Sequence, residues 1–123
     1  MIEMELVGER VVQATTTSTR MVDLLVIDDI NILPGEHFQI NAEMRSLNHN
    51  PDFPLDRARD EVIEACLKLN GQPLFSIAGD RTNFMCCELM ALGEKVTSVI
   101  LAGRTKDPWV TVQAKLLRVF VSK

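Results

Sequence analysis

The 123-residue sequence contains no tyrosine and only one tryptophan, and it has no long hydrophobic run. No apolar stretch approaches the roughly 20 residues that a helix needs to cross a bilayer. The first residues also lack the basic and apolar regions of a secretory signal. These absences predict a protein of the cytoplasm that does not enter membranes.

The sequence also has fewer basic residues than acidic residues. The chain has 13 lysines and arginines against 17 aspartates and glutamates, which gives a formal net charge of -4 and a pI near 5.1. Because proteins bind nucleic acid non-specifically by neutralising phosphates with cations, this balance disfavours general nucleic-acid binding without excluding a local site.

The sequence has few cysteines, and their spacing does not indicate disulfide pairs. Cys66, Cys86 and Cys87 are an odd number, and none of them forms a C-x-x-C motif. A disulfide framework is therefore not expected. Free thiols at apolar positions behave as small hydrophobic side chains, and we predict that these three are buried and structural.

What the sequence does contain is typical of one globular domain spanning residues 1–123. Hydrophobic residues make up 46% of the chain and charged residues 24%, and the length suits a single core. Period-2 alternation and β-branched runs predict strands. The predicted strands are residues 2–6, 10–17, 24–27, 38–44, 73–78, 95–102 and 109–121, although the threonine run within 10–17 fits a strand end or a loop equally well.

Several of these predictions include a position in the sheet. The continuous apolar block at 24–27 predicts a central strand that is covered on both faces, and 73–78 predicts a second buried strand. Pro34-Gly35 is suited to a type II turn. The last two strands flank a turn-forming link and predict a closing hairpin.

Two segments have the spacing of helices. Apolar residues recur at three- and four-residue steps from Leu55 to Asn70, and Asn70-Gly71 supplies a left-handed helix end. Residues 82–92 are apolar nearly all round and predict a second, covered helix.

The apolar residues of the last strand change phase. Val112 and Ala114 share one face, whereas Leu117 and Val119 share the other. An inserted residue near Leu116, a β-bulge, would return both pairs to one face, and a helix is the alternative.

The predicted order is therefore ββββ-α-β-α-ββ. The fold class is α+β, with a mostly antiparallel curved sheet or partly open barrel and two helices packed on it.

Asp28 and Asp29 follow an apolar strand in the stretch "VDLLVIDDI". This stretch resembles the Walker B motif of ATPases, whose acids hold magnesium. The phosphate-binding partner motif G-x-x-x-x-G-K-[ST] is missing from the sequence, which argues against an ATPase. With His37 or Glu43, the two aspartates are weak candidates for the site of a small metal-dependent or acid–base enzyme. No cofactor or bound metal is predicted.

A second candidate site lies near the C-terminus, where cations surround the only tryptophan. Basic residues and an aromatic on a strand surface are how OB-like domains bind single-stranded nucleic acid. The residues are Arg104, Lys106, Trp109, Lys115 and Arg118.

The interpretation that we favour is a small regulatory or protein-interaction module without enzymatic activity. The apolar segments at 24–27, 84–92 and 109–121 exceed what one small domain readily covers, and an exposed apolar surface usually marks a partner. We expect a homodimer or docking on another protein. The alternative is that the core absorbs all three segments.

Overall fold

The structure is a computed structural model that describes residues 3–47, 62–79, 81–91 and 93–122, with the backbone alone at residue 75 and residues 81–88. Within these ranges, all of the regular secondary structure is β-strand. The nine strands are β1 (Met4–Arg10), β2 (Ala14–Thr16), β3 (Val22–Ile27), β4 (His37–Ser46), β5 (Ile63–Leu69), β6 (Gln72–Gly79), β7 (Arg81–Met90), β8 (Val99–Thr105) and β9 (Val112–Ser122).

The strands form two antiparallel sheets. The first sheet has the order β1-β9-β4-β7, and β2 also pairs with β9. Since β1 and β2 pair with successive parts of β9, they together make one interrupted edge. The second sheet has the order β3-β8-β5-β6. The predicted antiparallel pairing is confirmed. The α+β class is wrong, and so is one curved sheet or partly open barrel with two helices, because the described part of the chain is an all-β, two-sheet fold.

The hydrophobic core lies between the two sheets. The alternation predicted for residues 38–44 places Phe38, Ile40 and Met44 of β4 in the interior, where each is at most 1% exposed. Leu67 and Leu101 of the second sheet belong to the same buried cluster. Each sheet therefore buries one face against the other, as in a β-sandwich.

The predicted helix from Leu55 to Asn70 is wrong where the structure describes it. Residues 55–61 lie outside the described ranges, and β5 occupies the rest. Ile63, Ala65 and Leu67 alternate into the core, which is the period of a strand. Cys66, on the opposite face, is also buried. The apolar residues on both faces of β5 produced spacings that imitate a helix.

The second predicted helix, at residues 82–92, is also wrong, because β7 occupies most of it and pairs with β4. A segment that is apolar on all sides fits a covered helix and a covered strand equally well, so periodicity cannot separate them. Cys86 and Cys87 lie in this strand, and their side chains are outside the described part of the structure.

Asn70-Gly71 is left-handed, as the sequence predicts, but it does not end a helix. The two residues have φ angles of 51° and 80°, and Leu69 pairs directly with Gln72. This is the geometry of a two-residue β-hairpin turn, for which Asn-Gly is the preferred sequence. The dipeptide joins β5 to β6.

The turn predicted at Pro34-Gly35 is confirmed. Gly35 has a φ of 89°, and the amide of Glu36 donates to the carbonyl of Leu33 at 3.1 Å. The turn precedes β4 and leads the chain from the second sheet to the first.

The predicted position of β3 is wrong. It forms an edge of the second sheet, not its centre, with Leu25 and Ile27 buried and Val26 38% exposed. The closing hairpin is also wrong, because β8 pairs with β3 and β5, whereas β9 pairs with strands of the first sheet. The link between β8 and β9 crosses from one sheet to the other.

The bulge near Leu116 is confirmed. Glu43 of β4 pairs with Leu116, but the next residue, Met44, pairs with Ala114, so that Lys115 is the extra residue of β9. On either side of the bulge, Ala114 and Leu117 are both buried. The bulge therefore keeps the apolar residues on both sides of it facing the core. The helical alternative is wrong.

Candidate interaction surface

The predicted acid–base residues lie at the surface. Asp28 and Asp29 are exposed just after β3, and His37 is exposed at the start of β4. Asp29 lies 4.0 Å from Arg10, and Glu43 lies 3.8 Å from Lys115. Within the described ranges, no group of three or more His, Cys, Asp or Glu side chains could hold a metal ion. The structure therefore does not bring these candidates together into a metal site.

The predicted nucleic-acid-binding cations are divided between the two sheets. Arg104 lies on β8 of the second sheet and binds Glu64 of β5, with Nε 3.1 Å from Oε1. Lys115 and Arg118 lie on β9 of the first sheet, and Arg118 binds Glu9 at 2.6 Å. Because the sheets pack through their inner faces, these cations do not share one surface.

Trp109 lies in the link between β8 and β9 and is 85% exposed. Its backbone amide donates to the Asp107 carboxylate at 3.0 Å, and the amide of Val110 donates to the Asp107 carbonyl at 2.9 Å. Lys106, also in this link, is exposed. These hydrogen bonds hold the backbone of the turn, and the indole ring is exposed on its surface.

Cys66 is a buried free thiol, as predicted, although it lies on the outer face of the second sheet. Ala102 is its neighbour on β8 and is completely buried. From β5, the Lys68 ammonium reaches the Asp23 carboxylate of β3 at 2.8 Å. Since β8 lies between these strands, the Lys68 side chain must cross β8, and we infer that its methylene stem helps to cover the small residues there.

The sheet edges differ in their protection. A free edge exposes backbone N–H and C=O groups that can pair with another strand, and charged side chains are a common way to prevent such pairing. The edge strands β1, β3 and β7 all contain charged residues, and β2 has only three residues. In contrast, β6 runs from Gln72 to Gly79 as "QPLFSIAG", without a single charge.

The edge of β6 also leaves apolar side chains in solvent. Leu74 is 40% exposed and Ile77 39% exposed, and Ser76 is exposed beside them. In the described ranges no strand pairs with the outer side of β6. Pro73 and a shift of register interrupt the start of the strand, so residues 75–79 form its regular part.

Sequence reasoning missed this surface because it assigned residues 73–78 to a buried strand. An uncharged, apolar strand is typical of a sheet centre, and here it lies at an edge. Pro73 was the available signal, because proline within a sheet is confined to edges, strand starts and bulges.

A search with models of known protein families and a search of curated proteins found no match to this chain. Among the described residues there is no helix long and apolar enough to cross a membrane. The predicted cytoplasmic location stays a prediction.

Proposed function

We propose that this protein is a protein-interaction module whose recognition element is the outer edge of β6. The edge takes up an extended strand of a partner protein, so that the partner continues the second sheet. The observation that carries this proposal is the coincidence, on one strand, of an edge that no described strand covers, exposed apolar side chains and the absence of charge.

Each part of this coincidence has a physical role. The open N–H and C=O groups of the edge supply main-chain hydrogen bonds to an added strand. Exposed Leu74 and Ile77 supply apolar surface that is removed from water when a partner covers it. A strand without charge imposes no desolvation penalty for ionised groups.

Binding of fluorescent peptides tests this proposal. The panel contains capped, uncharged peptides with alternating apolar residues and a peptide with the sequence of residues 72–79, and fluorescence anisotropy measures their binding. We expect a subset to bind and Ile77→Lys to abolish that binding, because a charged side chain then lies at the pairing edge.

Val26→Lys is the control for a lysine at an exposed edge position. Val26 lies on the outer face, whereas Ile77 pairs with buried Ala65 on the inner face, so circular dichroism first checks that both variants fold. Val26 is 38% exposed on β3, at the opposite edge of the same sheet, and its exposure equals that of Ile77 to within one percentage point. Binding should survive in this variant. If no peptide binds, or if both variants bind equally well, the proposal is wrong.

A second candidate function, single-stranded nucleic-acid binding, is supported by the outward position of Trp109. Stacking of a base on this ring would contribute about 1–3 kcal/mol. Titration with an oligonucleotide at several salt concentrations tests it, and Trp109→Ala should remove the binding. A salt-independent signal, or one that survives in Trp109→Ala, would exclude this role. Nothing here tests the predicted absence of enzymatic activity or the alternative of an enzyme site at Asp28 and His37. Both stay predictions.

A further inference from the structure

We propose that Asn70 is a site of spontaneous covalent modification, and that the folded β5–β6 hairpin prevents the reaction until the hairpin opens. Asn70 is the only asparagine in the chain that is followed by glycine. Because glycine has no side chain, its backbone nitrogen is open to close approach by the asparagine side chain before it. Asn70 is half-buried and Gly71 is exposed, so water reaches the turn.

The reaction is an intramolecular substitution at the Asn70 side-chain amide. The Gly71 backbone nitrogen loses its proton to hydroxide and attacks Cγ of Asn70. The N–Cγ bond forms, the Cγ–Nδ2 bond breaks, and ammonia leaves with a proton from water. Water then opens the resulting five-membered imide at either carbonyl, and nothing is oxidised or reduced. The products are aspartate and isoaspartate, in which the main chain runs through the former side chain.

The backbone of the folded turn prevents this attack. The φ angles of Asn70 and Gly71, 51° and 80°, are those of a type I′ turn, whose first central residue has a ψ of about 30°. At that ψ the Gly71 nitrogen and Cβ of Asn70 point away from each other across the Cα–C bond. The imide ring requires both atoms on the same side. The Asn70–Gly71 peptide must therefore rotate by roughly 150°, which ends the type I′ geometry and opens the hairpin.

Hydrogen bonds also hold the Asn70 side chain away from Gly71. Nδ2 donates to the Lys95 carbonyl at 2.9 Å. Oδ1 accepts from the Thr97 amide at 2.8 Å, from the Thr97 hydroxyl at 3.2 Å and from the Ser98 amide at 3.3 Å. Since the imide joins Cγ to the Gly71 nitrogen, the side chain must first leave these partners. The reaction therefore proceeds only from open hairpins.

Modification prevents the hairpin from closing as before. Aspartate at position 70 lacks the Nδ2 donor and places a carboxylate oxygen against the Lys95 carbonyl oxygen. Isoaspartate adds a main-chain carbon to a turn in which Leu69 pairs directly with Gln72. A fraction of the openings thus ends in a one-way change that weakens the attachment of the hairpin to the segment before β8.

Peptide mapping by mass spectrometry, during incubation of the intact protein at mildly alkaline pH, tests the proposal. In urea that unfolds the protein, Asn70 should convert to aspartate and isoaspartate. Without urea the conversion should be at least about tenfold slower, because only the open fraction reacts. Asn31 is exposed and followed by isoleucine, so it is the internal control and should stay unchanged over the same period.

Thr97→Val removes one hydrogen bond to Oδ1 and keeps the Asn-Gly dipeptide. Conversion in the folded protein should become about twofold faster or more, while the rate in urea stays the same. Thr17→Val is the matched control, since Thr17 is also exposed and lies beside Ser18, which bonds Thr105 at the other end of β8. This variant should change neither rate. Circular dichroism checks that both variants fold.

Hydrogen exchange measures the effect of the modification on the hairpin. Ion-exchange chromatography separates the modified protein, because it carries an additional negative charge. The amides of β5 and β6 should exchange at least about tenfold faster in it than in the unmodified protein. Asn70→Asp should reproduce the exchange of the aspartate product.

Equal conversion with and without urea overturns the proposal, and so does an Asn70 that stays intact in both. A Thr97→Val rate equal to that of the unmodified protein overturns the role of the side-chain hydrogen bonds. Unchanged hydrogen exchange after modification overturns the effect on the hairpin. None of these measurements involves peptide binding at the β6 edge, so each outcome is independent of the proposed function.

Discussion

Asn70 stabilises the turn between β5 and β6 through its backbone and its side chain. Its φ of 51° lies in the left-handed region, which asparagine tolerates better than most residues. Its side-chain amide donates to the Lys95 carbonyl at 2.9 Å, and its Oδ1 accepts from the Thr97 amide at 2.8 Å. One residue therefore fixes the hairpin and attaches it to the segment that leads into β8.

Two substitutions of Asn70 separate these roles. Asn70→Gly keeps the backbone conformation and loses the side-chain hydrogen bonds, so we expect the free energy of unfolding to fall by about 1–2 kcal/mol. Asn70→Ala adds the strain of a left-handed alanine, about 1 kcal/mol more. Urea unfolding measures both, with Asn31→Ala as an exposed control. Equal stability of Asn70→Gly and the unmodified protein would mean that the side-chain bonds contribute nothing.

At the scale of elements, the bulge in β9 decides which residues of that strand reach the core. Val112 and Ala114 precede it, and Leu117 and Val119 follow it, and all four are buried. Since strand side chains alternate with a period of two, an extra residue is needed to keep both halves of β9 on the same face.

Deleting Leu116 tests this role of the bulge. The deletion places Ala114 and Leu117 two positions apart, so both can face the core in a regular strand without a bulge, and we expect the protein to keep its cooperative thermal transition. Leu116→Ala keeps the residue count and removes only a half-buried side chain, so it should still fold. Circular dichroism during heating compares the two. Loss of the cooperative transition in the deletion variant would show that the bulge does more than correct the phase of the apolar residues.

The elements that the sequence predicted well are those with a local signal. The alternation in β4 and the phase change in β9 are visible within about ten residues, and both are confirmed. The prediction for β5 was wrong because Cys66 is buried on the outer face of this strand. This apolar residue interrupts the alternation that would otherwise have indicated a strand. The Asn-Gly turn that follows β5 is a hairpin signal that should have outweighed the helical spacing.

At the scale of the whole molecule, the arrangement of strands could not be predicted from local patterns. Neither the crossing of the β8–β9 link between sheets nor the edge position of β3 is encoded in the strands themselves, and Pro73 is the one local sign of the edge position of β6. The same limit applies to the candidate site, because the role that we propose for β6 depends on its place at an edge. The predicted cations were likewise chosen by proximity in sequence, and the fold separates Arg104 from Lys115 and Arg118.

Because one core serves both sheets, the two sheets should unfold together. Leu101 of the second sheet and Leu117 of the first are both completely buried in the same cluster. Replacing either with alanine should lower the free energy of unfolding by about 2–5 kcal/mol, while a single transition is retained. Leu33→Ala, at a 51% exposed position, should change it by less than about 0.5 kcal/mol. Calorimetry and circular dichroism at a fixed low protein concentration exclude any contribution from association. Two separate transitions in Leu101→Ala or Leu117→Ala would mean that each sheet is stable without the other, which a core shared between them does not allow.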